Sequence, residues 1–126
     1  MDYKFSKEEK LKSRKLIEKM FTEGKTVSKY PLKLIYIQTE LKDEIMIQAG
    51  VSVSKRNFKR AVDRNKIKRL MREAYRLNKN LIFNTIQFPY ALMFLYIGKE
   101  FPKNYDEISK SMIKLLQKFI SEQKTY

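Results

Sequence analysis

The sequence contains no cysteine, no histidine and no tryptophan, and only three glycines and three prolines in 126 residues. Each absence removes a class of chemistry. Without cysteine there is no disulfide framework and no thiolate metal site, a composition that suits the cytoplasm. Without histidine as well, Ser-His-Asp triads, Cys-His pairs and His-ligated zinc are excluded. The glycines lie far apart, at Gly24, Gly50 and Gly98, so there is no glycine-rich phosphate loop. The longest fully apolar run, Tyr90 to Ile97, is eight residues and too short to span a bilayer. The N-terminal Met-Asp-Tyr-Lys-Phe-Ser-Lys-Glu-Glu lacks the apolar core of a signal peptide. Acids are scarce too: 14 Asp and Glu face 28 Lys and Arg. Most of them sit beside lysines, as in Lys7-Glu8-Glu9-Lys10 and Lys42-Asp43-Glu44, the pattern of surface charge rather than of a catalytic carboxylate pair. Any reaction associated with this chain is expected to take its chemistry from a partner, and no catalytic or metal-ligating residue is expected in it.

Positive charge is plentiful, and it is concentrated. The net charge is +14 with a pI near 9.9, which calls for a polyanionic partner, either nucleic acid or an acidic membrane. Residues 55–76, K-R-N-F-K-R-A-V-D-R-N-K-I-K-R-L-M-R-E-A-Y-R, hold ten Lys or Arg against Asp63 and Glu73. Six of the seven arginines lie here; only Arg14 is elsewhere. Arginine presents a rigid fork of donors that matches phosphate oxygens. Ile67, Leu70, Met71, Ala74 and Tyr75 recur at helical spacing as one apolar stripe, and Arg64, Lys68, Arg72 and Arg76 step by four beside it. The ordinary fate of a charge run is a solvated face. Here the acids that would stabilise such a face through i,i+4 pairs are nearly missing, so a polyanion is the natural relief for the crowded cations.

At 43% hydrophobic residues the chain can bury a core, and residues 1–126 are expected to form a single domain whose first twelve residues are loosely held. A first helix ends near Phe21, with Leu16, Ile17, Met20 and Phe21 on one face. Its N-cap is either Ser6, with Glu9 completing a capping box, or Ser13. Gly24 fits a left-handed stop. Leu32 to Ile37 and Ile45 to Ser54 read as two strands, most simply paired as a hairpin, with Gly50 marking a bulge or break. The basic helix follows, with Phe58 as an inward anchor before it and Asp63 complementing the helix dipole or capping its start. Tyr90 to Ile97 reads as a central strand covered on both faces. A last helix begins at Asn104 with Glu107 at N3 and carries the stripe Ile108, Met112, Leu115, Leu116, Phe119 and Ile120. Its apolar face is needed for the core of so small a domain, which argues against a helix lying on a membrane.

The run Ala-Val-x-Arg-Asn-x-Ile-Lys-Arg-x-x-Arg-Glu-x-x-Arg, from Ala61 to Arg76, resembles the signature of the bacterial ribonuclease P protein subunit. The preceding Gly-Val-Ser-Val-Ser-Lys-Arg, residues 50–56, resembles that family's strand before the helix. The similarity runs the length of the chain. It implies an α+β fold of order α-β-β-α-β-α, a two-layer sandwich with a small mixed sheet against helices, and a left-handed β-α-β crossover where the general rule is right-handed. It also implies function. An RNA subunit would carry out the hydrolysis that removes the 5′ leader of precursor tRNA, using a divalent metal, magnesium, held mainly by the RNA. Ribonuclease P RNA and precursor tRNA would be the partners, with no membrane and no obligate protein partner. Arg64, Asn65, Lys66, Lys68, Arg69, Arg72 and Arg76 would contact the RNA subunit, on a surface extended by Lys55, Arg56, Lys59 and Arg60. The family's Arg-Asn-Arg core is Arg64-Asn65-Lys66 here; lysine keeps the charge and loses the fork. Ile17, Phe21, Lys33 and Ile35 would line a cleft for the single-stranded leader. Phe21 can stack on a base, whereas isoleucines at 17 and 35 offer apolar contact only. On the residues alone, packing of Ile17 and Phe21 against the core is the favoured reading; the resemblance puts the cleft level with it.

Other readings make distinct predictions. A ribosomal or chaperone-like RNA binder has no associated reaction. A self-sufficient metal-dependent nuclease would cleave without RNA. A helix-turn-helix DNA binder fits the basic helix but not the strands on either side of it.

Overall fold

A computed structural model of the chain describes residues 5–123. A four-stranded mixed sheet forms its centre, with strand order β1-β2-β4-β3. The strands are β1 (Lys25–Lys29), β2 (Leu32–Gln38), β3 (Ile47–Val53) and β4 (Tyr90–Tyr96). The helices are α1 (Arg14–Glu23), α2 (Ala61–Asn78), the short α3 (Asn80–Phe83) and α4 (Tyr105–Gln123). The α+β class and the small mixed sheet are as expected. The element order gains a strand, β1, and a helical turn, α3.

The apolar run of residues 90–96 is central for the reason its composition suggests. β4 lies between β2, antiparallel, and β3, parallel, and both its faces are covered. Tyr90, Leu92, Phe94 and Tyr96 enter the main core with α2 and α4. Ala91 and Met93 enter a smaller core on the other face, with Leu11, Met20 and Ile35. Leu32, Leu34 and Tyr36 of β2 belong to the main core, as their alternation predicts.

The expected hairpin between residues 32–37 and 45–54 does not form. β2 pairs instead with β1, through a turn at the cis Tyr30–Pro31 bond, and β3 reaches the sheet only through β4. β1 (Lys-Thr-Val-Ser-Lys) buries only Val27, so it carries little apolar signal. Its terminal lysines suit an edge strand. Gly50 marks no bulge: the β3–β4 register runs unbroken from Ile47↔Tyr90 to Val53↔Tyr96. A Cβ there would lie 3.3 Å from Met93 and 3.5 Å from Leu11, so the glycine makes room for what crosses it.

Both candidate N-caps are used. Ser6 and Glu9 form a capping box on a 3-10 turn, Lys7–Glu9, and the Ser13 hydroxyl accepts from Leu16 N at 3.2 Å to start α1. Residues 5–11 are not loosely held, contrary to expectation; residues 1–4 lie outside the described range. Leu11 is buried, its N–H donates to Ala49 O at 2.9 Å, and Phe5 packs edge-on to Tyr75. Glu9 accepts from the buried Lys79 ammonium at 2.8 Å.

Gly24 ends α1 without a left-handed cap: its φ of −68° and ψ of 154° are open to any residue. What requires glycine is space. A Cβ would sit 2.4 Å from Met20 O and 2.7 Å from Ile35 Cγ2. Gly24→Ala is therefore expected to cost about 1–3 kcal/mol, the range for overpacking a filled site. Thermal denaturation followed by circular dichroism should show the midpoint falling by several degrees; an unchanged midpoint would contradict this.

α4 is capped by Asn104, whose Oδ1 accepts from Glu107 N at 3.0 Å. Glu107 returns its bond to Lys103 N rather than to Asn104, a variation on the capping box. Ile108, Met112, Leu115, Leu116 and Phe119 are fully buried, so the stripe is spent on the core.

Candidate nucleic-acid interface

α2 is amphipathic in the expected sense. Ile67, Met71, Ala74 and Tyr75 are buried against β3 and α4, and Leu70 packs at the margin. Phe58 is buried against the Tyr96 ring at 5.8 Å and anchors the segment before the helix. This places the cationic positions on the outer surface, but they do not all have the same job.

Three of the arginines are engaged within the protein. Arg64 Nη1 donates to the carbonyls of Phe58 and Lys59, both at 2.9 Å, so its guanidinium ties the preceding loop to the helix. Arg60 occupies the N-cap position of α2 and binds both oxygens of Asp63, at 3.1 and 3.2 Å. Asp63 thus clasps Arg60 and does not cap the helix; its bonds hold the Arg60 pKa above the ordinary arginine value. Arg76 is paired with Glu73, and this bond holds the Glu73 carboxyl below the usual carboxylate range. The line Arg64, Lys68, Arg72, Arg76 is therefore not one uniform phosphate-binding row. Lys55, Arg56, Lys59, Lys66, Lys68, Arg69 and Arg72 have no side-chain hydrogen bond or ion pair to protein among the described residues. Arg56, Lys66, Arg69 and Arg72 are exposed, as is Asn65, and Lys68 is half-buried.

The second group of predicted residues lies on the opposite side of the sheet, beside α1. Phe21 is 55% exposed and so does not cap the core. Ile17 and Lys33 are half-buried. Ile35 is 6% exposed and belongs to the small core beneath α1, where it can support a cleft but offers little surface to a ligand. A cavity of about 280 Å³ brings Ile17 together with Arg72, so the two predicted groups meet at one concavity. Its other walls include Lys10, Leu11, Lys12 and Gly50. Lys33, Ile35 and Phe21 do not line it; Phe21 follows Ile17 by one helical turn on the same flank of α1.

Sequence reasoning missed Lys10 and Lys12, because the N-terminal segment was expected to be loose. It also missed the partnership of Glu9 with Lys79, whose side chains are 70 residues apart in the chain. No local pattern announces such a pair. Among the described residues no group of three or more acidic side chains is placed to hold a metal ion.

The surface can neutralise phosphates. Comparison with known proteins then gives the family. The family model for ribonuclease P matches residues 5–120. The ribonuclease P protein component of Porphyromonas gingivalis is 40% identical over 114 residues, covering 88% of this chain and 82% of its own. That of Clostridium botulinum is 35% identical over 112 residues, covering 89% and 95%. In fold, the chain is similar to the RNase P protein of Staphylococcus aureus (TM-score 0.70, 22% identity, 88% and 94% coverage) and to that of Thermotoga maritima (TM-score 0.69, 23% identity, 87% and 96% coverage). The basic α2 surface, the sheet that carries it and these likenesses point to one conclusion: the chain belongs to the ribonuclease P protein family.

Proposed function

We propose that the protein binds the RNA subunit of ribonuclease P through α2 and the segment before it. On the other side of the sheet it holds the 5′ leader of precursor tRNA beside α1, so promoting endonucleolytic removal of the leader. The observation that carries this reading is the set of cations uncommitted among the described residues: Arg56 in the segment before α2, and Lys66, Arg69 and Arg72 on the exposed side of a helix whose apolar side is buried. Phosphate contacts fix register and orientation on RNA. Holding substrate and catalyst in place can supply much of a rate enhancement without any protein acid or base. The catalytic centre is assigned to the RNA. Magnesium is assigned mainly to the RNA as well, because a surface of net positive charge repels a dication. The exposed Phe21 ring is available to stack on a leader base. A cytoplasmic site of action accords with the cysteine-free sequence.

Reconstitution tests the reading. Added to a bacterial ribonuclease P RNA at low magnesium, the protein should restore leader cleavage, and neither component should cleave alone under those conditions. RNA binding without restored cleavage would favour a binder with no associated reaction; cleavage by protein alone would favour a nuclease.

A further inference from the structure

A second, larger groove runs along the other flank of α1. It encloses about 830 Å³ between the N-terminal segment, α1 and residues 39–42. Six lysines line it, Lys7, Lys10, Lys12, Lys15, Lys19 and Lys42, against two acids, Glu8 and Glu40. Lys15 and Lys19 stand two positions from Ile17 and Phe21, roughly 200° around a helix that turns about 100° per residue. Lys15 and Lys19 thus stand on the flank of α1 turned away from Ile17 and Phe21.

Resting on the function proposed above, we propose that this groove binds the phosphodiester backbone of a folded, helical segment of the RNA subunit. Four observations carry the assignment. None of the six lysines forms an ion pair with a carboxylate among the described residues. α1 has no acid in its first turn and starts instead with Arg14 and Lys15, so two cations sit at the positive end of the helix dipole, where an anion is favoured. The wall opposite α1 is built, not loose: Gln48 Nε2 donates to Glu8 O at 3.1 Å, and Leu11 N donates to Ala49 O at 2.9 Å. Finally, Lys10 and Lys12 also line the cavity that contains Ile17 and Arg72, so the groove adjoins the α2 surface. The type of RNA follows from what is missing. Sites for single strands combine cations with aromatic rings on which bases stack. Among the described residues no aromatic side chain lines this groove; its apolar surface comes from Leu16 and Leu41. These residues can hold phosphates and offer no ring to stack a splayed base.

The test compares wild type with the triple variant Lys15→Ala, Lys19→Ala, Lys42→Ala, three exposed positions. Binding to the RNA subunit is measured across a salt series. Each lost phosphate contact should make the slope of log affinity against log salt shallower by about 0.9, so the variant should differ by roughly 2–3 in slope, with an unchanged melting midpoint. Because the chain has no cysteine, Lys15→Cys or Lys42→Cys provides a unique anchor for a tethered RNA-cleaving reagent. Cuts are expected in a helical segment of the RNA subunit. An unaltered slope overturns the proposal, as do cuts confined to the precursor leader, which would make the occupant the single strand. Wild type failing to bind the RNA subunit would overturn this assignment together with the function it rests on; a normal wild type beside an unaltered variant overturns this assignment alone.

Discussion

Raising salt from about 50 to about 200 mM is expected to weaken binding of the protein to its RNA by roughly 10³–10⁵-fold, the range for about 6–10 neutralised phosphates. The cations on and before α2 with no partner among the described residues, Lys55, Arg56, Lys59, Lys66, Lys68, Arg69 and Arg72, are enough to reach the lower part of that range. Arg69→Ala and Arg72→Ala should each reduce the salt slope by about 1 while shifting stability by no more than about 0.5 kcal/mol, because both side chains are exposed and bonded to nothing among the described residues. Arg64→Ala is the instructive contrast. Its guanidinium holds the carbonyls of Phe58 and Lys59, so its loss should lower the melting midpoint as well as affinity. Filter binding or calorimetry over a salt series, read beside thermal melts, separates the two kinds of arginine. A flat salt response would contradict the electrostatic basis of the interface.

The second large effect concerns Glu9 and Lys79. Their side chains are 17% and 4% exposed, and the ammonium lies 2.8 Å from the carboxylate. Removing one member of a buried pair takes away the main counter-charge of the other, and such losses cost roughly 3–5 kcal/mol; the Lys79 ammonium, 5.5 Å from the centre of the Phe83 ring, keeps other contacts. Glu9→Gln is expected near the lower end, about 3 kcal/mol, since Glu9 keeps some access to water. Replacing both, with Glu9→Leu and Lys79→Met, should recover most of the loss, because a well-packed apolar pair often matches a buried ion pair. Burial raises the pKa of Glu9, but hydrogen bonds from Lys79 and Ser6 outweigh it and leave the carboxyl below its ordinary value. The folded-state pKa is thus depressed relative to the unfolded one, near 4.3. Its stabilisation is present above that unfolded value and is lost as pH falls through the folded one. Denaturant midpoints measured at decreasing acid pH should show this loss in wild type and not in Glu9→Gln. Equal acid sensitivity in both proteins would remove Glu9 as the cause.

Much of the fold could be read from periodicity. The α4 stripe, the two-faced β4 and the amphipathic α2 each follow from where apolar residues recur, since each element buries one side or both. Pairing could not be read in the same way. The alternation of Leu32, Leu34 and Tyr36 reveals a buried face but not which strand lies alongside, and β1, with Val27 as its one buried residue, gives almost no apolar signal. The reason for Gly24 was invisible for a similar cause: what it avoids is the Met20 carbonyl and the Ile35 side chain, and the latter comes from another element. For the site, charge density located the helix, while the distinction between Arg64, turned inward, and Arg69, left outward, depends on acceptors that only the folded loop provides.

Docking of Leu11 and Lys10 against Ala49 has a consequence for how the protein behaves before it meets RNA. β3 would otherwise end the sheet as an apolar strand with open amides, a template for joining copies of the chain to one another. The N-terminal segment occupies part of that border through the Leu11–Ala49 bond and the parallel Lys10↔Ala49 bridge. The opposite border is β1, which carries Lys25 and Lys29. Strand-to-strand growth is thus obstructed on one side by the chain itself and on the other by like charge, leaving the free subunit suited to remain dispersed until a polyanion takes it up.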